Sequence, residues 1–219
     1  MSVGLASRTG HRATIAERVA LMIRDSILNG ELKTGSPLRE EELARQFDVS
    51  RHVVREVLRL LAADGLADYS SFRGSRVVHL TAQDVEGIFG ARRFVEVNSI
   101  KSAVAPIDSS ALARIHQEFA RAVERSAWRE AFELDLQFHS TIVDASCNKL
   151  VSEWHRGLIQ RLRLAHLVAP AFQEEGLTTS VAEHAEIVLA AAAGDTKKIL
   201  QSLETHLLHA EQQLRKRMD

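Results

Sequence analysis

Only one of the 219 residues is a cysteine, Cys147. A lone thiol cannot close an intramolecular disulfide, so the fold must hold by burial alone, and a reducing cytoplasm is the expected compartment. There are three prolines, one tyrosine, and aromatic residues at 5% of the chain. With so few rings and so much alanine and leucine, the composition favours helices packed on helices over a β-sandwich. No apolar run approaches the ~18 residues of a membrane span. Residues 1–11 lack the apolar stretch of a secretion signal, and residues 1–12 are expected to form a flexible arm. The net charge of −1 is far from the strongly basic balance of a protein that coats DNA without regard to sequence.

What is present is an ordinary globular balance, 45% hydrophobic and 26% charged, long enough for two small domains. A helix is predicted over residues 13–28, with Ile15, Val19, Met22 and Ile23 at helical spacing and Asn29-Gly30 as its stop. Gly35-Ser36-Pro37 reads as a turn. Further helices are predicted over 40–47 and 51–64, the second capped by Ser50 and stopped by Gly65. Two short strands, 66–70 and 75–78, turn through Phe72-Arg73-Gly74. Beyond Thr81 only helices are expected, at 82–104, 109–125, 128–146, 148–168, 178–193 and 196–217. Thr81 and Asp84 are spaced as a capping box. The reading is a mostly α chain of two domains: residues 1–80, a winged helix-turn-helix, and residues 81–219, an all-α helical bundle.

The third predicted helix carries two faces. Val54, Val57, Leu58 and Leu61 form a stripe for burial, while Arg51, Arg55 and Arg59 follow one another at four-residue steps elsewhere. Arg51 and Arg55 fall in the first turns, from which a recognition helix reaches base edges, and arginine bonds guanine O6 and N7 with two parallel donors. His52 stands beside them. Arg73 and Gly74 at the wing tip suit a phosphate or minor-groove contact. An arginine row alone is more often a solvated helix face; the order of short helix, turn, long helix and hairpin favours DNA.

Residues 38–78 resemble the GntR-type regulators, whose pattern is roughly L-x-E-x-x-L-A, then V-S-R-x-x-V-R-E-x-L-x-x-L, then G-L and a wing with R-G. Leu38, Glu40, Leu43, Ala44, Val49, Ser50, Arg51, Val54, Arg55, Glu56, Leu58, Leu61, Gly65, Leu66, Arg73 and Gly74 carry the match. The resemblance implies DNA contacts for Arg51, Arg55 and Gly74. Two positions depart from it. His52-Val53 stands where many members have Thr-Pro, and Glu41 stands where some have a basic DNA-contacting residue, so Glu41 is not carried over as a contact.

In the second domain Asp135 and His139 lie four apart on one helix, and His184 and His206 lie on successive helices joined at Gly194-Asp195. One carboxylate and three imidazoles suit a divalent transition metal, whether Zn, Ni, Mn or Fe. Spacing alone leaves surface or hydrogen-bonded histidines as the commoner case, to which His116, His155, His166 and His209 are assigned. The segments 135–151 and 183–195 resemble the D-x-x-F-H and E-H-x-x-I stretches of the FadR-like branch with an FCD ligand domain. That resemblance implies Asp135, His139, His184 and His206 as metal ligands. "ARRFVE" at 91–96 resembles the R-x-x-x-E element opening that domain. Arg92 and Glu96 are then either a surface ion pair worth ~0.3–0.5 kcal/mol or, for Arg92, an effector-binding carboxylate clamp. Arg161 and Arg163 are weaker candidates for such a clamp, and Asn148 suits a helix cap.

The expected function is a DNA-binding transcriptional regulator, a homodimer, whose affinity for double-stranded operator DNA is set by a small carboxylate in a metal-containing helical domain. Three histidines and an aspartate could activate water in an enzyme. No H-E-x-x-H and no adjacent base motif is present, and no enzymatic activity is expected.

Overall fold

The computed structural model describes residues 13–70, 74–104, 106–168 and 171–218. The arm expected at 1–12 and the wing-tip Arg73 lie outside the described residues. The chain divides into two compact units, Met1–Val77 and Val78–Asp219.

Unit 1 begins with α1 (Ile15–Leu28), opened by a capping box between Thr14 and Glu17. Ala16, Val19, Ala20, Ile23 and Ile27 form its buried stripe, whereas Ile15 and Met22, expected in that stripe, are about half exposed at 52% and 56%. The true stripe uses the two small alanines, which a search for large apolar residues passes over. Next come β1 (Pro37–Leu38), α2 (Glu40–Gln46), α3 (Arg51–Ala63), β2 (Ala67–Ser70) and β3 (Gly74–Val77). Val54, Val57, Leu58 and Leu61 of α3 are at most 1% exposed and pack α3 against α1 and α2. Ser50 caps α3 through the Val53 amide. At its other end Gly65, at φ +71°, takes the left-handed conformation that glycine adopts without Cβ strain. Its amide and that of Leu66 then bond back to Ala62 and Leu61, with Leu61 and Leu66 both fully buried beneath the turn.

The sheet corrects one expectation. Residues 35–38 do more than turn: Pro37 and Leu38 pair with Arg76 and Ser75, giving three antiparallel strands in the order β1-β3-β2. Backbone bonds from Gly35 to Val77 and from Val77 to Ser36 extend that edge. Two residues carry no alternation that a sequence pattern could show; the buried Leu38 is what fastens the strand.

Unit 2 holds six helices among the described residues: α4 (Ala82–Lys101), α5 (Ser109–Glu124), α6 (Trp128–Asp144), α7 (Lys149–Val168), α8 (Ala171–Ala192) and α9 (Thr196–Arg215). The Thr81–Asp84 capping box opens α4, and Asn148 caps the first turn of α7. The α8 helix starts seven residues before its expected beginning at 178. Gly176 lies inside it, at a cost of about 1 kcal/mol relative to alanine that buried Leu177 offsets. Between α8 and α9, Gly194 at φ +67° repeats the glycine-stop geometry, and Asp195 caps α9 through the Lys198 amide. Helix α6 packs against α4, α5, α7 and α8, so it runs through the middle of the bundle.

Candidate functional site

On unit 1, burial of the Val54 stripe turns the opposite side of α3 to solvent. The side chains of Arg51, Arg55 and Arg59 are 59%, 54% and 61% exposed, and His52 is exposed beside them. None of the three arginines is idle. Arg55 donates from Nε to both oxygens of Glu40 at 3.2 and 3.0 Å, Arg51 donates from Nη2 to Glu41, and Arg59 pairs with Glu56. The acidic first turn of α2 thus reaches across to the recognition helix, a link hidden in the sequence although three consecutive glutamates mark it. Gly74, exposed and at φ +78°, begins β3 opposite Ser70.

Unit 2 carries charge in its core. Asp135 and His139 from α6, His184 from α8 and His206 from α9 are all buried, and their ligand atoms lie within 4.8 Å of one another. His139 Nε2 stands 3.1 Å from His206 Nε2, which stands 3.3 Å from His184 Nε2; His184 Nε2 is 3.5 Å from Asp135 Oδ1. Donors bound at about 2.1 Å to one first-row ion would be roughly 3.0–3.5 Å apart, so these separations suit a shared metal.

The surroundings decide which nitrogens face inward. Glu96 accepts from His139 Nδ1 at 2.7 Å, and Glu183 accepts from His206 Nδ1 at 2.7 Å and from His209 Nδ1 at 2.7 Å. Each carboxylate keeps the proton on Nδ1 and turns the Nε2 lone pair toward the cluster, as the second shell of a metal site does. His184 is oriented differently: its ring stacks on Phe138, with centroids 4.1 Å apart and planes within 6°, and its Nδ1 is buried without a hydrogen-bond partner among the described residues. Burial lowers the His139 imidazole, against the pull of Glu96 and with Arg92 assisting. Burial, then the like charge of His206 and His139, holds His184 well below the usual imidazole range. Neutral imidazoles are the form that a metal requires.

Arg92 is 2% exposed and Glu96 is fully buried, which overturns the surface-pair alternative. Arg92 Nε donates to Glu96 Oε1 at 2.8 Å, its guanidinium lies 5.2 Å from the Phe89 ring centre, and its Nη2 is buried without a hydrogen-bond partner among the described residues. Burial works to raise the Glu96 carboxyl, but Arg92 and His139 hold it well below the ordinary value. His155 also bonds Glu96, at 3.3 Å. Glu96 is therefore a hub that joins Arg92 to His139, a role for which its sequence spacing from Arg92 was only a partial sign. Glu183 was missed although it stands next to His184. Arg161 is exposed and Arg163 makes a two-pronged pair with Glu133 at 3.0 and 2.6 Å, so neither faces the cluster.

The profile of the bacterial regulatory proteins of the gntR family matches residues 15–77, and that of the FCD domain matches residues 87–209. The chain is 30% identical over 208 residues to a probable D-xylose utilization operon transcriptional repressor from Paenarthrobacter nicotinovorans, covering 90% of this chain and 87% of that one. It is 27% identical over 158 residues to the galactonate operon transcriptional repressor of Escherichia coli K12, covering 63% of this chain and 69% of that one. The crystal structure of a GntR transcriptional regulator from Rhodococcus sp. RHA1 superposes with a TM-score of 0.78 at 29% identity, covering 91% of this chain and 96% of that one. These proteins regulate transcription and are not enzymes, and no described helix is long and apolar enough to cross a membrane. The chain belongs to the GntR family, as a DNA-binding regulator of transcription with a C-terminal FCD domain.

Proposed function

We propose that this regulator binds operator DNA as a cytoplasmic homodimer and that a small carboxylate, taken up at a divalent transition metal in unit 2, sets its affinity for the operator. One observation carries the reading: three imidazole nitrogens and a carboxylate oxygen converge in the core, one carboxylate away from a buried arginine nitrogen that has no hydrogen-bond partner among the described residues. Asp135, His139, His184 and His206 are the ligands. A divalent ion held there supplies Lewis-acidic positions that accept a carboxylate oxygen. Arg92 offers Nη2 to the same carboxylate, while its Nε stays on Glu96. The galactonate operon of one relative is named for a sugar acid, which suits such a ligand.

Arg51, His52 and Arg55 meet base edges and phosphates, and Arg73 and Gly74 serve the wing. Phe94 on α4 and Leu150 and Trp154 on α7 are 72%, 62% and 66% exposed on two helices that pack together, large apolar side chains suited to cover by a second copy. The signal passes through α4, which carries Arg92 and Glu96 and is separated from the end of β3 by four residues.

Elemental analysis of the purified protein tests the centre. The expected result is near one equivalent of metal, lost in His184→Ala, with chelation removing the response of operator binding to galactonate and related acids. Full metal occupancy in His184→Ala would take His184 out of the ligand set.

A further inference from the structure

The two glutamate–arginine pairs on the DNA face differ in the nitrogen they use. Arg55 is held by Nε, so both of its terminal nitrogens remain available to a base. Arg51 is held by a terminal nitrogen, Nη2, one of the donors that a guanine contact needs. Glu40 therefore steadies Arg55 from behind, with a side chain only 31% exposed, whereas Glu41, 67% exposed, competes with DNA for Arg51. The adjacent Glu42 turns away and pairs with Arg39 at 2.9 Å, so the three acids do not share one role as counter-charges to the helix dipole. An open groove lined by Glu41, Ala44, Arg45, Asp48, Val49 and Arg51 leaves room for a base edge beside the pair.

We propose that Glu41 is a specificity-determining residue: it withholds Arg51 from generic duplex and releases it where a neighbouring cytosine offers its N4 amino group. When Arg51 swings to DNA, the Glu41 carboxylate is left as an anion among phosphates, which every sequence resists. Cytosine N4 is the base donor that pairs with a carboxylate in the major groove, so a site with guanine for Arg51 and cytosine for Glu41 satisfies both groups at once. Other sequences satisfy one and strand the other. This inference rests on the recognition-helix reading above.

The test is selection of bound duplexes from a random-sequence library by the full-length protein and by Glu41→Gln, Glu42→Gln and Arg51→Ala. Affinity for the unselected library is measured alongside, at about 50 and 200 mM salt. Glu41→Gln is expected to bind the unselected library about two- to five-fold more tightly, the range of an exposed ion pair released. Its log–log salt slope should steepen by about one, because Arg51 is free to neutralise one more phosphate. It should lose a cytosine preference at one position in each half-site and keep the guanine beside it. Glu42→Gln, with the same change in charge, should behave as the parent protein. Unchanged base preferences in Glu41→Gln, or equal effects in Glu42→Gln, would overturn the role of Glu41. If Arg51→Ala keeps every parental preference, it is the recognition-helix reading that fails.

Discussion

His166 shows what one buried side chain does to the whole domain. It lies on α7, its Nδ1–H donating to the Leu162 carbonyl at 2.8 Å and its ring against Phe132 at 3.9 Å between centroids. Burial pushes its imidazole down to about 4. In the unfolded chain the same group titrates near 6.5 and takes up a proton that the folded state refuses. The stability it contributes is complete above pH ~6.5 and is lost as the pH falls toward 4, a span of roughly 3 kcal/mol. Urea unfolding of chelated protein at pH 7, 5.5 and 4.5 should show this loss, and His166→Leu should flatten that part of the profile. The sequence assigned His166 to the surface or hydrogen-bonded histidines; that it is buried, and so titrates low, follows only from packing such as that of the Phe132 ring against it.

At the scale of the element, α3 separates stability from recognition. Leu58 is fully buried in the stripe that holds α3 to α1 and α2, so Leu58→Ala should destabilise by about 2–5 kcal/mol, read by urea unfolding. Arg55 is on the other side, half exposed and tied to Glu40. Arg55→Ala should unfold within about 1 kcal/mol of the parent protein while operator binding drops by tenfold or more, read by mobility shift. Unfolding of Arg55→Ala would show that its face has been misjudged. This helix was legible beforehand because a 3.6-residue period is local: its thirteen residues contain both faces, and the caps Ser50 and Asp64 flank them directly. The β1 strand was not, because its two residues acquire meaning only from the partner strand.

For the molecule as a whole, metal and acid must act through stability as well as through DNA. A metal that binds only the folded cluster stabilises unit 2 by about 2.7 kcal/mol when present at 100 times its Kd. Both tryptophans, Trp128 and Trp154, lie in unit 2, so their fluorescence follows that unit. Thermal unfolding monitored there should move upward with metal and return on chelation. Operator affinity should change about 5- to 150-fold on adding the acid, and the acid should bind more or less tightly by the same factor when operator is present, since coupling is reciprocal. A titration in which the acid shifts unfolding but leaves operator affinity unchanged would separate ligand binding from regulation.

The sequence by itself determined the class of fold and the two faces of α3, because helical period and caps are carried within a few neighbours along the chain; it was the resemblance to FCD domains, not spacing, that implied the four side chains that converge. The tertiary structure alone decided what those residues face. Glu96 reaches His139 across 43 positions and Glu183 reaches His206 across 23, while Arg51 and Arg55 of α3 meet glutamates 10 and 15 positions away. Such pairings depend on how helices cross, and a buried charge takes its protonation state and its partner from the side chains that the crossing brings around it.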